Sequence, residues 1–246
     1  MDPFGQGIPL GRWFHTTVIM SFTHIIILLI FGSQVSSQGP IVVAAVVSTL
    51  FLSILLHEFG HVIACRLVGG QADVIVLGFG GMAYVRPPER PLPQFITTAG
   101  GPLVNGILLA IAWALHASPL WGMLWGGNGM LFLRALIVAM IYINKMLLVL
   151  NLLPIFPMDG GRLLQHVLWA IVGYRNSMVV TGMIGTVGGA ALLILGTGAT
   201  SVTIPIVNEV FGNGPDMFLV VIGLQCAMQS WALYSHAKRI GDYRQR

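Results

Sequence analysis

Apolar residues dominate this chain in six long runs that short polar loops separate. The runs cover roughly 16–31, 41–65, 95–116, 131–152, 177–196 and 215–236. About 20 apolar residues in a helix cross the hydrocarbon core of a bilayer. The pattern therefore predicts an all-α membrane protein with about six transmembrane helices, in one polytopic domain over 1–246. The first run is the shortest, and it also suits a tilted or partly interfacial helix.

Charge supports the membrane interpretation and orients the chain. Only 8% of the 246 residues are charged, against about 25% in soluble proteins. The basic residues outside the fourth run fall in four regions that a six-span chain places on one side: Arg12; Arg66, Arg86 and Arg90; Arg162 and Arg175; Lys238, Arg239, Arg244 and Arg246. The positive-inside rule then predicts that both termini are cytoplasmic. The net charge of +4 thus reflects membrane topology, and we expect no nucleic-acid partner.

Polar residues interrupt the second run at His57-Glu58-Phe59-Gly60-His61. Positions i and i+4 of a helix share a face, so both imidazoles can bind one metal ion. Glu58 points about 100° away, where it can take a proton from a bound water. A charge inside a bilayer costs about 2.5–3.5 kcal/mol on insertion scales. The pattern therefore predicts a metal site with Glu58 as general base.

A third ligand is predicted at Asp159, in the segment Asn151-Leu152-Leu153-Pro154-Ile155-Phe156-Pro157-Met158-Asp159-Gly160-Gly161. Catalytic zinc takes three protein ligands and an open position. The two prolines break the helix, and the released backbone can re-enter the bundle where it lines a cavity. We expect a broken, re-entrant segment near Pro154–Asp159. The alternative role for Asp159 is a helix N-cap or an interfacial acid near Arg162.

Together these motifs resemble the site-2 protease family of intramembrane zinc metalloproteases. Its members combine a His-Glu-x-x-His helix with a later Asn-x-x-Pro-x-x-x-hydrophobic-Asp-Gly segment, here with Met158 before the aspartate. A Gly-Pro-x-x-Asn pattern at Gly101–Asn105 also matches. The resemblance covers roughly 41–170, the expected catalytic core, in a compact form without extra soluble domains.

The resemblance implies a function and its participants. One zinc ion per chain would be bound by His57, His61 and Asp159, with Glu58 as general base. The substrate would be a transmembrane segment of another protein, cleaved in regulated intramembrane proteolysis, and we expect a bacterial or archaeal cell membrane. A zinc-binding membrane protein without hydrolysis, either a transporter or an inactive protease-like scaffold, is the alternative.

Two asparagines are candidates for binding the oxyanion or the substrate. Asn105 and Asn151 are the amide donors nearest to the metal motifs by position, and a tetrahedral intermediate requires such donors. Helix–helix hydrogen bonding, which is common for asparagine in membranes, is the alternative for both.

A short stretch after the second run is typical of strands rather than a helix. Residues 74–85 contain two β-branched or aromatic runs around Gly80-Gly81, which predicts a small β-hairpin on the cytoplasmic side. Its edge could capture an unwound substrate as an added strand, with Val76, Leu77, Gly78, Phe79 and Tyr84 as candidates. The alternative is a hairpin that only packs at the interface.

The fifth run carries glycines at Gly182, Gly185 and Gly189. Small residues at this spacing allow helices to approach closely. They suit packing inside the bundle or a dimer interface, so the oligomeric state is open.

Overall fold

The computed structural model describes residues 7–78, 81–124, 130–199 and 214–243. The strands are β1 (Gly7–Trp13), β2 (Thr16–Ser21), β3 (Gln71–Leu77) and β4 (Met82–Arg86). The helices are α1 (Phe22–Gln34), α2 (Pro40–Leu67), α3 (Pro91–Ala117), α4 (Pro119–Met123), α5 (Leu131–Leu152), α6 (Asp159–Val172), α7 (Tyr174–Gly196) and α8 (Met217–Tyr243).

Among the described residues, five helices are long and apolar enough to cross a membrane: α2, α3, α5, α7 and α8. Each begins and ends within a few residues of a predicted run, except that α8 continues about seven residues beyond its run. Large apolar side chains on their surfaces are exposed, including Leu103 and Val187. Apolar surface on a bundle of such helices is suited to lipid, and the chain is a multi-pass membrane protein.

The first predicted run is divided between a strand and a short helix, so the count of six spanning helices is approximate. Its first six residues form β2, and α1 begins only at Phe22, where the Ser21 side chain accepts a hydrogen bond from the Thr23 backbone. Residues 16–19 are all β-branched, which suits a strand with partners on both sides. The remaining 13-residue helix spans about 20 Å, less than a bilayer core.

Contacts divide the chain into two compact units, 1–88 with 100–147 and 89–99 with 148–246. The prediction of a single domain over 1–246, with a catalytic core at about 41–170, stays a prediction.

The first unit contains a four-stranded sheet in the order β1-β2-β3-β4. The predicted hairpin is its β3–β4 half, in which Val76 pairs with Met82, and β2 adds parallel to β3, pairing Ile19 with Val76. Val18, Ile75 and Leu77 are buried in one apolar cluster with Leu55 and Phe59 of α2. The sheet therefore packs on the half of α2 that carries the predicted metal ligands.

Arg66, at the end of α2, connects three parts of the first unit. Its guanidinium donates to the Phe14 carbonyl at 2.7 Å, the Thr16 hydroxyl at 2.8 Å and the Ala72 carbonyl at 2.7 Å. A guanidinium offers five donors in a fixed plane, so one side chain can satisfy several carbonyls. This contact anchors the β1–β2 turn beside the start of β3.

In the second unit, α7 packs along α8 through its glycine row. A Cβ added at Gly182 would lie 2.8 Å from the Tyr234 Cβ, and one at Gly189 would lie 2.9 Å from the Ala227 Cα. The glycines thus allow the close helix contact predicted for the bundle interior. Because α8 covers this row, the glycines are not available as a surface for a second copy of the chain.

Candidate metal centre

The two histidines lie on α2 with their metal-binding atoms facing each other. The Nε2 atoms of His57 and His61 are 3.2 Å apart, and both side chains are buried. Two ligands of a tetrahedral zinc ion, with bonds of 2.0–2.1 Å, are separated by about 3.3 Å. The spacing of this pair therefore fits a shared zinc ion, as the i and i+4 positions predicted.

Helix α3 leaves space at this pair because glycines face it. A Cβ added at Gly100 would clash with the Gly60 carbonyl and lie 2.7 Å from the Ala64 Cβ. A Cβ added at Gly101 would lie 2.6 Å from Nε2 of His57 and would also clash with His61. A methyl group here would occupy the position that an ion held by both nitrogens requires.

Glu58 is buried, with 3% of its surface exposed, although it carries a carboxyl group in an apolar helix. Gly81, which directly precedes β4, lies against it, since a Cβ added at Gly81 would lie 2.9 Å from its Cδ and Cγ atoms. Gly81 has φ +76, a conformation that only glycine adopts easily. The predicted base is thus enclosed by the sheet that packs on its own helix.

Asp159 is the first residue of α6, and its side chain is buried. Helix α5 ends at Leu152, and turns follow to Met158, so the predicted break at Pro154–Asp159 is confirmed. A Cβ on Gly160 would clash with the carbonyls of Leu152 and Leu153, so this glycine lets α6 begin directly against the end of α5. Met158 is the N-cap residue, so the alternative role of Asp159 as N-cap is wrong.

His57 and His61 lie in the first unit and Asp159 in the second, and all three side chains are buried. This is the ligand set that the two sequence motifs predict. Two imidazoles with one carboxylate are a donor set that zinc accepts in catalytic sites.

Asn105 makes hydrogen bonds between helices, the alternative considered for it in the sequence. Its side chain is fully buried. Its oxygen contacts Nδ1 of His57, and its nitrogen donates to the Asn144 oxygen at 2.9 Å. Both ends of the amide are engaged within the helix bundle, which supports the alternative of helix–helix hydrogen bonding, and the predicted role of Asn105 towards the substrate stays a prediction. Asn151 is partly buried, and its predicted role stays a prediction.

The candidates for pairing with substrate are also revised. Val76 and Leu77 lie on β3, whose backbone pairs with β2 on one side and β4 on the other. The Gly78 carbonyl accepts a hydrogen bond from Nδ1 of His24 at 3.0 Å. Phe79 lies outside the described residues. Tyr84 lies on β4, and no described strand pairs with the outer side of β4.

His166 of α6 belongs to a separate polar contact. Its Nε2 lies 3.2 Å from the Thr98 hydroxyl. Burial, with a smaller effect from the charge of Arg162, lowers the pKa of His166 to about 4. The imidazole is therefore neutral near pH 7, which suits a buried hydrogen bond between uncharged groups.

The chain is similar in sequence to known zinc metalloproteases. Residues 128–195 match the model of peptidase family M50. A zinc metalloprotease of Methanocaldococcus jannaschii is 32% identical over 194 residues, covering 78% of this chain and 52% of the relative. Stage IV sporulation protein FB of Bacillus subtilis is 31% identical over 118 residues, covering 47% of this chain and 37% of the relative. The chain thus spans about half the length or less of these curated relatives.

A solved structure shares the fold. The site-2 protease from Methanocaldococcus jannaschii superimposes with a TM-score of 0.59 at 23% identity, covering 90% of this chain and 95% of that chain.

The space at Gly101 yields a test of the metal centre. Gly101→Ala should weaken zinc binding, because the new methyl group displaces both imidazoles. Gly106→Ala on the same helix is the matched control, since nothing lies within 4 Å of a Cβ there. Zinc affinity measured by chelator competition checks this, and equal affinities in the two variants would contradict the placement of Gly101.

Proposed function

We propose that the chain is a member of peptidase family M50, the site-2 protease family, and that it is an intramembrane zinc endopeptidase that cleaves transmembrane segments of other membrane proteins. The observation that supports this most directly is the buried Glu58 beside the histidine pair on α2. Glu58 is next to His57 but off the helix face that His57 and His61 share, where a carboxyl group can accept a proton from a metal-bound water. Hydrolysis requires such a group as the general base.

His57, His61 and Asp159 would hold one zinc ion per chain. When bound, zinc supplies Lewis acidity that lowers the pKa of a coordinated water and polarises a carbonyl. The Nε2 atoms of the two histidines lie 3.2 Å apart, a separation that suits two ligands of one zinc ion. Their burial keeps competing solvent ligands away.

Glu58 would act as the general base and then as the general acid. Its carboxylate accepts a proton from the attacking water and passes that proton to the nitrogen of the leaving amine. Gly81 lies against the carboxyl group and so limits its contact with bulk water. Asn151 remains our candidate donor to the oxyanion.

The substrate would bind in extended form along the outer edge of β4. A helical substrate hides its carbonyls in hydrogen bonds, so it must unwind before hydrolysis. The outer side of β4 pairs with no described strand, and an unwound segment can add to such an edge as a further strand. Gly81, against Glu58, directly precedes β4, so a strand added here would lie close to the proposed base.

The sheet and the charges support the proposed membrane orientation. β2 and β3 are neighbours, so Arg12, Arg66 and Arg86 lie near one sheet, beside the start of α1 and the end of α2. By the positive-inside rule we propose that this end, and with it both termini, is cytoplasmic. Relatives in an archaeon and a bacterium support a bacterial or archaeal cell membrane, and regulated intramembrane proteolysis as the process.

The role of Glu58 is tested by Glu58→Gln. The variant should keep its zinc, because Glu58 is not a ligand, and should lose cleavage of a single-span substrate in proteoliposomes by about 10²–10⁴-fold. The exposed Glu89→Gln is the control. Full zinc content with activity near wild type would contradict this role, and zinc binding by a wild-type chain that cleaves no membrane protein would favour the transporter or scaffold.

The third ligand is tested by Asp159→Ala. Removing one of three protein ligands should lower zinc affinity and abolish cleavage. Asp73→Ala, at an exposed position of β3, should change neither. Stoichiometric zinc and normal turnover in the Asp159 variant would require a different third ligand.

Substrate capture is tested by proline on the edge strand. Successive residues of a strand direct their N–H groups to opposite sides, so of Ala83 and Tyr84 one faces β3 and the other faces outward. Proline removes the N–H group. Of Ala83→Pro and Tyr84→Pro, the variant at the residue whose N–H faces outward should keep zinc and lose cleavage. Tyr84→Ala, which keeps the N–H group, should have a milder effect. If both Pro variants cleave at the wild-type rate, β4 does not pair with the substrate, and the hairpin only packs at the membrane interface.

A further inference from the structure

A chain of buried polar side chains leads away from His57 into the first unit. Nδ1 of His57 contacts the side-chain oxygen of Asn105, whose nitrogen donates to the Asn144 oxygen at 2.9 Å. The Asn144 nitrogen in turn donates to the Ser53 hydroxyl at 3.1 Å and to the Met140 backbone carbonyl at 2.9 Å. Asn105 and Asn144 are both 0% exposed.

One member of this chain determines the orientation of all the others. A backbone carbonyl only accepts hydrogen bonds, so the end of the Asn144 amide that faces Met140 must be its NH₂ group. The Asn144 oxygen then faces Asn105, which must present its own NH₂ group there and its oxygen to His57. Because that oxygen only accepts, Nδ1 of His57 carries the proton, and its Nε2 keeps the lone pair that faces His61.

Building on the proposed function, we propose that Asn144 and Ser53 are positioning residues for the metal centre. They hold the Asn105 amide in the one orientation that keeps His57 in its Nε2-ligating tautomer. If the Asn105 amide turned over, its NH₂ group would face Nδ1 and favour the tautomer that has its proton on Nε2. Hydrogen-bond partners of ligating histidines affect metal affinity in this way, typically by about 10–100-fold.

Local packing alone does not account for this arrangement. Thr49 is also buried on α2, but its hydroxyl only donates to the Ala45 carbonyl of its own helix at 2.7 Å. Asn144 instead connects α5 to α3 and α2, and the chain ends at a metal ligand. Burying four polar groups costs free energy unless every atom is paired, so a purely apolar contact between these helices would avoid that cost.

Metal binding by the purified full-length chain tests the proposal. In Co²⁺ titrations with a competing chelator, Asn144→Leu should bind about 10–100-fold more weakly than wild type. Ser53→Ala, which leaves Met140 as a partner of Asn144, should bind only slightly more weakly. Thr49→Val is the matched control and should bind normally. Asn144→Asp should restore affinity, because a protonated carboxyl keeps an acceptor towards Asn105 and a donor towards Met140.

The tautomer can be observed without any metal. Solid-state ¹⁵N spectra of histidine-labelled, metal-free protein, with the His57 signal assigned by its loss in His57→Ala, should show the Nδ1-protonated form in wild type. Asn144→Leu should give a mixture, and Ser53→Ala a smaller admixture. An unchanged tautomer and unchanged Co²⁺ affinity in these two variants would overturn the proposal. Failure of the wild-type chain to bind Co²⁺ would instead count against the proposed function, while the spectra would still decide the tautomer.

Discussion

The backbone contact between Gly60 of α2 and Gly100 of α3 sets the spacing on which the metal centre depends. A Cβ on either glycine would meet the carbonyl of the other, so any side chain would push the helices apart. Wider separation would withdraw Asn105 from His57 and remove the wall that Gly101 provides. The site is therefore built on close helix packing as much as on its ligands, which is the usual basis of helix association in lipid.

Features encoded within a few residues could be predicted from the sequence. The His57–His61 pair and the off-face position of Glu58 follow from helical periodicity alone. The break after α5 follows from Pro154 and Pro157, and Asp159 lies buried directly after it. Each of these depends on local backbone geometry, which is why the expectation and the structure agree.

Features that depend on distant partners could not be predicted in this way. Residues 16–21 are uncharged and partly apolar, which also suits the start of a membrane helix, and their pairing with β1 and β3 makes them a strand. The same pairing places Val76 inside the sheet rather than at its edge. Asn105 could be recognised as important from its position, but its role depends on Asn144, 39 residues away along the chain.

The contact of Gly81 with Glu58 has a consequence for inhibitor chemistry. Gly81, which leads into β4, contacts the carboxyl group proposed as the base. A molecule bound along the β4 edge would therefore lie close to that carboxyl group. A small zinc-chelating molecule would engage the ligands without using the edge. A compound that joins a chelating group to an extended peptide-like backbone would use both, and it could distinguish this chain from soluble zinc enzymes that lack such a strand.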